Sequence, residues 1–78
     1  MCKAPLMRIG VIGGSGPAGS SLAARLASVG YEAVIGSRSK YRAMETRDDI
    51  VDRYPDLEPM LGFGENSVAA DADIVVIA

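Results

Sequence analysis

The chain has no histidine, no tryptophan, one cysteine and one phenylalanine among its 78 residues. Without histidine there is no Ser-His-Asp or Cys-His arrangement for nucleophilic catalysis, and the usual nitrogen ligand of zinc is missing. One cysteine closes no internal disulfide. Cys2 itself sits in a short tail with nothing to activate its thiol, so it reads as an exposed, non-catalytic residue. Tyr31, Tyr41, Tyr54 and Phe63 are too scattered to form a base-stacking platform. An excess of positive charge is also lacking: 8 basic and 10 acidic residues leave a net charge of −2, which offers no field to a phosphate backbone or an anionic membrane. No apolar run approaches the roughly 20 residues needed to span a bilayer. Met1-Cys2-Lys3-Ala4-Pro5 leads into a strand pattern without a signal-peptide hydrophobic region. Nucleic acid and membrane are therefore not expected partners, and the expected location is cytoplasmic.

What is present is the composition of a globular protein, 49% hydrophobic and 23% charged. The length allows one small domain, which buries only about 60–65% of its unfolded surface, so its stability is expected to be modest. Met7-Arg8-Ile9-Gly10-Val11-Ile12 is a β-branched run stopped by Gly13-Gly14, the pattern of a buried strand ending in a tight turn. From Pro17, Leu22, Leu26 and Val29 recur at helical spacing, and Gly30 is placed to cap the helix. Glu32 to Gly36 predicts a second strand, completing a βαβ unit over residues 7 to 36. Tyr41 to Tyr54 predicts a second helix, ended by Pro55. The stretch to Asn66 predicts loop with a short strand near Met60 to Phe63, and Ser67 to Ala72 a single helical turn. Asp73 to Ala78 is a continuous apolar run of the kind buried in the middle of a parallel sheet. The expected fold is α/β, a Rossmann-type parallel sheet, β-α-β-α-β-α-β, with strand order 3-2-1-4. Residues 1–6 are expected to be a tail and 7–78 an incomplete domain, the amino-terminal piece of a longer protein, because no loop follows the last strand.

The chemistry lies in Gly14-Ser15-Gly16-Pro17-Ala18-Gly19, which fits G-x-G-x-x-G directly after a strand and at the opening of a helix. In that setting Gly14 allows the turn, Gly16 lets a pyrophosphate approach the backbone, and Gly19 lets the helix pack tightly on the strand. The helix N-terminus adds unpaired N–H groups and a positive dipole end. A purely structural glycine turn is the plainer alternative. A P-loop is nearly spelled by Gly14 and Gly19, but Ser20 stands where the lysine that reaches the terminal phosphates is required.

The end of the second strand separates the two nicotinamide cofactors. An acidic residue there would accept hydrogen bonds from the ribose 2′-hydroxyl of NAD. This chain has Gly36-Ser37-Arg38 instead, with Arg42 four residues on. Hydroxyl and guanidinium groups suit the 2′-phosphate of NADP, for which the planar donor fork of arginine is well shaped. The alternative for Arg42 is a solvated residue at a helix start. Glu32 stands at the other end of the strand and is expected to point away from the cofactor edge.

Ile9-Gly10-Val11-Ile12-Gly13-Gly14-Ser15-Gly16 with Gly19, then Leu22-Ala23-Ala24-Arg25-Leu26-Ala27, then Gly36-Ser37-Arg38, resembles the amino-terminal domain of NADPH-dependent F420 reductases. Ala69-Ala70 and Ala72-Asp73-Ile74-Val75 resemble that family's approach to its fourth strand. The resemblance implies hydride transfer between coenzyme F420 and NADP. By position it assigns Ser15, Ser37, Arg38 and Arg42 to the 2′-phosphate, and the backbone of Ser15 to Ala18 to the pyrophosphate. Arg42 stands where a lysine is common, and Pro17 removes one N–H from the turn. The residues that would shape the nicotinamide and deazaflavin pockets lie beyond the portion resembled. The isolated chain is therefore expected to be catalytically incompetent, and a homo-oligomer is an expectation for the full-length protein only. A pyrroline-carboxylate reductase or a ferric reductase of related fold, and a non-catalytic NADP-binding module, remain the alternatives.

Overall fold

A computed structural model describes residues 8–78; the expected tail 1–6, with Cys2, and Met7 lie outside the described residues. The elements are β1 (Arg8–Ile12), α1 (Pro17–Ser28), β2 (Glu32–Ser37), α2 (Lys40–Arg53), a 3₁₀ helix (Pro55–Met60), β3 (Leu61–Glu65), α3 (Asn66–Ala70) and β4 (Ile74–Ile77). The four strands form one sheet in the order β3-β2-β1-β4, with every pairing parallel. This is the expected Rossmann-type order.

Val11 and Ile35 are opposite each other in the β1–β2 register and fully buried. They form the centre of a core with Ala23 and Ala27 of α1, Ala43 and Ile50 of α2, and Ala33 and Leu61 of the sheet. The two helices cover this face because the chain steps from β1 to β2 to β3 in one direction, and crossovers of one hand then fall on one side. The step from β3 back across the sheet to β4 puts α3 on the other face, where Gly10 and Gly36 lie against Ala69.

Local chemistry sets the helix limits. Gly30, at φ 101°, follows α1. Its N–H donates to the Ala27 carbonyl at 3.1 Å, and that of Tyr31 donates to Leu26 at 3.0 Å. This is the paired closure that a left-handed residue allows. Helix α2 begins at Lys40, one residue before the sequence expectation, because Ser39 is its N-cap and its hydroxyl accepts the Arg42 N–H at 3.4 Å.

Two stretches differ from expectation. Pro55–Met60 is a 3₁₀ helix where loop was expected, and β3 runs through both Gly62 and Gly64 to Glu65. Glycine-rich sequence has little strand propensity, and β3 exists through its pairing with all of Ala33–Ser37. The larger correction concerns β4. Its residues were expected to be buried mid-sheet, yet Ile74, Val75 and Ile77 are 44%, 41% and 79% exposed. An apolar run shows that both faces of a strand can be covered. Among the described residues, β4 pairs with β1 alone and is an edge strand. No helix of the described residues is long and apolar enough to cross a membrane.

Candidate functional site

Parallel strands bring all their carboxyl ends to one edge of a sheet, and here that edge collects the glycine turn, the end of β2 and the start of α3. The turn is built on Gly13, whose φ of 78° belongs to the left-handed region that glycine enters without strain. The sequence reading gave this role to Gly14. Gly14 instead is buried and tied down: its N–H donates to the Gly36 carbonyl at 2.9 Å, and a Cβ on it would lie 2.9 Å from the Val11 carbonyl oxygen.

Gly19 was expected to let the helix pack on the strand, and its close approach is instead to the turn that follows the strand. A Cβ there would come within 2.6 Å of the Gly14 Cα and 2.8 Å of the Gly13 carbonyl oxygen, so only glycine lets α1 sit this close to the turn. Gly16 is the N-cap of α1, and a Cβ on it would meet nothing nearer than the Gly13 carbonyl oxygen at 3.8 Å. Space is therefore open over this backbone. Pro17 fills the first helical turn, no side chain caps the helix and no acidic residue lies in its first turn. The first bond of the helix runs from the Ser20 N–H to the Gly16 carbonyl at 2.9 Å, so the N–H groups of Ala18 and Gly19 have no partner within the helix and lie at the positive end of its dipole.

A cavity of about 540 Å³ lies at this edge, lined by Ser15, Ser37, Arg38, Ser39, Arg42 and Asn66. Ile12 and Gly13 at the end of β1, and Ile77 and Ala78 at the end of β4, complete the lining. Four of the residues singled out in the sequence, Ser15, Ser37, Arg38 and Arg42, are thus brought to one space. Ser37 is buried and acts as the local hub. Its hydroxyl oxygen accepts from the Ser15 hydroxyl and from the Ser39 N–H, both at 3.3 Å. The guanidinium-bearing residues Arg38 and Arg42 are exposed. Among the described residues, no acidic side chain lines the cavity. This arrangement of hydroxyl and guanidinium donors without an acid is suited to an anion.

Pro17 lies elsewhere. It belongs to a second hollow, about 480 Å³, between α1 and α2, which shares Ser15 and includes Ser20, Thr46, Arg53 and Tyr54. At the opposite edge of the sheet, Glu32 pairs with Arg8 at 3.5 Å, and Asp73 accepts the Arg8 N–H at 3.0 Å. Glu32 is thus remote from the cavity, as expected. Two lining residues with polar side chains, Ser39 and Asn66, were not expected from the sequence. Ser39 follows directly on Arg38 and could have been found as a third hydroxyl beside the arginines. Asn66 gave no signal, because its place depends on α3 crossing the sheet.

Comparison with known proteins gives the family. The family model described as NADP oxidoreductase, coenzyme F420-dependent, matches residues 8–78. An F420-dependent NADP reductase of Methanothermobacter thermautotrophicus is 37% identical over 78 residues, which cover 99% of this chain and 34% of that protein. The chain thus spans about a third of the length of the curated relative it matches. Among solved structures, menthone neomenthol reductase from Mentha piperita superposes with a TM-score of 0.70 at 20% identity, over 80% of this chain and 22% of that one. That likeness is one of fold. The match across nearly every residue from Arg8 onward carries the assignment: the chain belongs to the family of coenzyme F420-dependent NADP oxidoreductases.

Proposed function

We propose that the chain is the NADP-binding domain of a cytoplasmic oxidoreductase that exchanges a hydride with coenzyme F420. The observation that carries this reading is the convergence of Ser15, Ser37, Arg38 and Arg42 on one cavity without acidic side chains, beside a helix N-terminus that no side chain caps. The donor set fits the cofactor. Arg38 and Arg42, with the Ser15 and Ser37 hydroxyls, would hold the 2′-phosphate. Gly14, Ser15, Gly16, Pro17, Ala18 and Gly19 form the turn on which the pyrophosphate would lie. There the open side of Gly16 leaves room and Ala18 and Gly19 offer N–H groups. Bound NADP supplies a nicotinamide ring that accepts or donates a hydride. The chain's own residues would hold its 2′-phosphate and pyrophosphate, which would orient the cofactor.

The relative's name indicates that F420 is its redox partner, and we extend that partner to the protein of which these residues form the nucleotide half. Alone, they are expected to bind NADP without turnover. Calorimetric titration of the chain with NADPH and NADH, repeated with Arg38→Ala, tests the reading. Charge-assisted hydrogen bonds to the 2′-phosphate are worth about 1.5–3 kcal/mol, so NADPH should bind about 10- to 100-fold more tightly than NADH. In the variant most of that ratio should disappear, with NADH affinity unchanged. Equal affinities in the parent chain would remove the 2′-phosphate site.

A further inference from the structure

We infer that Asn66 is a positioning residue for the dinucleotide turn, acting through the Gly13 amide; the inference rests on the NADP reading of the same edge. Asn66 opens α3 at the end of β3, a strand that does not adjoin β1. Its side chain nevertheless reaches the end of β1, where Oδ1 accepts the Gly13 N–H at 3.4 Å across 53 residues of sequence. The route passes over Gly36. A Cβ on Gly36 would lie 3.1 Å from Asn66 Oδ1 and 3.3 Å from Asn66 Cα, so the bare backbone of β2 makes the reach possible.

The turn is held by two consecutive amides. Gly14 donates to Gly36 at 2.9 Å and Gly13 donates to Asn66. Gly13 is the left-handed residue, is exposed, and accepts the Gly16 N–H at 3.3 Å through its own carbonyl. The peptide that carries this N–H is already held on its carbonyl side, where Ile12 accepts the Ala78 N–H at 3.0 Å, and Asn66 adds the tether on its amide side, next to the Gly13 carbonyl that holds Gly16. This role is common to both nicotinamide dinucleotides, since the pyrophosphate is common to both. It differs from that of Arg38, which faces the one group that separates them.

The test is calorimetry with NADPH and NADH on the parent, Asn66→Ala and Asn66→Asp chains, together with exchange rates and chemical shifts of the Gly13 amide by ¹⁵N NMR. Asn66→Ala should speed Gly13 exchange and weaken both nucleotides by about fivefold, the loss of one neutral hydrogen bond, leaving their ratio unchanged. Asn66→Asp keeps the acceptor and should restore slow Gly13 exchange, with the amide shifted downfield by the charged oxygen. If Asn66→Ala fails to fold, the Asp variant decides: an unmoved Gly13 amide overturns the inference. Faster Gly13 exchange in Asn66→Ala with both affinities unchanged also overturns it and leaves the NADP reading standing. A change confined to NADPH overturns it in favour of a direct 2′-phosphate contact. A folded parent chain that binds neither nucleotide overturns the NADP reading, and the inference with it.

Discussion

Toward α1 and α2 the sheet presents Val11, Ala33, Ile35 and Leu61, whereas toward α3 it presents Gly10, Gly36 and Gly64. On the first face, helices stand off on interlocked side chains, and stability rises with the apolar surface buried. On the second, the short helix lies directly on the backbone. A Cβ on Gly10 would run into the Ala69 carbonyl, one on Gly36 would lie 2.6 Å from the Ala69 Cβ, and one on Gly64 would lie 2.9 Å from the Val68 Cβ. The side-chain face can lose atoms at a graded cost. The glycine face has no slack to gain them. What the close approach provides is reach: it lets Asn66, on a helix of five residues, touch the end of a strand two places away.

Substitutions on the two faces break this comparison in a definite order. Gly10→Val puts three carbon atoms where the α3 backbone lies. It should remove about 4 kcal/mol or more, enough to abolish the cooperative thermal transition of a domain this small, as followed by circular dichroism. Ile35→Ala, on the other face, empties a fully buried position. It should cost about 3 kcal/mol in urea unfolding, leaving a foldable chain. Gly62→Ala sharpens the comparison, because Gly62 is opposite Val34 and a Cβ there meets nothing nearer than 3.7 Å. Its effect should lie within about 0.5 kcal/mol of zero, since the penalty at Gly10 comes from helix contact and not from loss of glycine as such.

The same contrast explains what could be read in the sequence. β1, α1 and β2 were legible because Ile9, Val11, Val34 and Ile35, and the helical spacing of Leu22 and Leu26, report burial by their own chemistry, whereas Val29, expected on the same stripe, is the C-cap of α1 and is exposed. The G-x-G-x-x-G run and Gly36-Ser37-Arg38 were legible because phosphate chemistry restricts the residue types that can serve it. β3 was only partly legible, since Gly62 and Gly64 follow the needs of neighbouring elements. The turn residue was misplaced by one, from Gly13 to Gly14, because adjacent glycines look alike until φ is known. The exposure of β4 could not be read from an apolar run, which says what a strand can bury and nothing about what covers it. Asn66 depends on topology alone.

The measurement that tests the central claim most directly is mapping of NADPH-induced ¹H–¹⁵N shift changes along the chain. The account predicts changes concentrated at Gly13 to Gly19, at Ser37 to Arg42 and at Asn66. Arg8, Glu32 and Asp73 at the far edge of the sheet should be unmoved. Changes centred instead on Thr46, Arg53 and Tyr54 in the hollow between α1 and α2, with Ser37 and Arg38 unmoved, would contradict it.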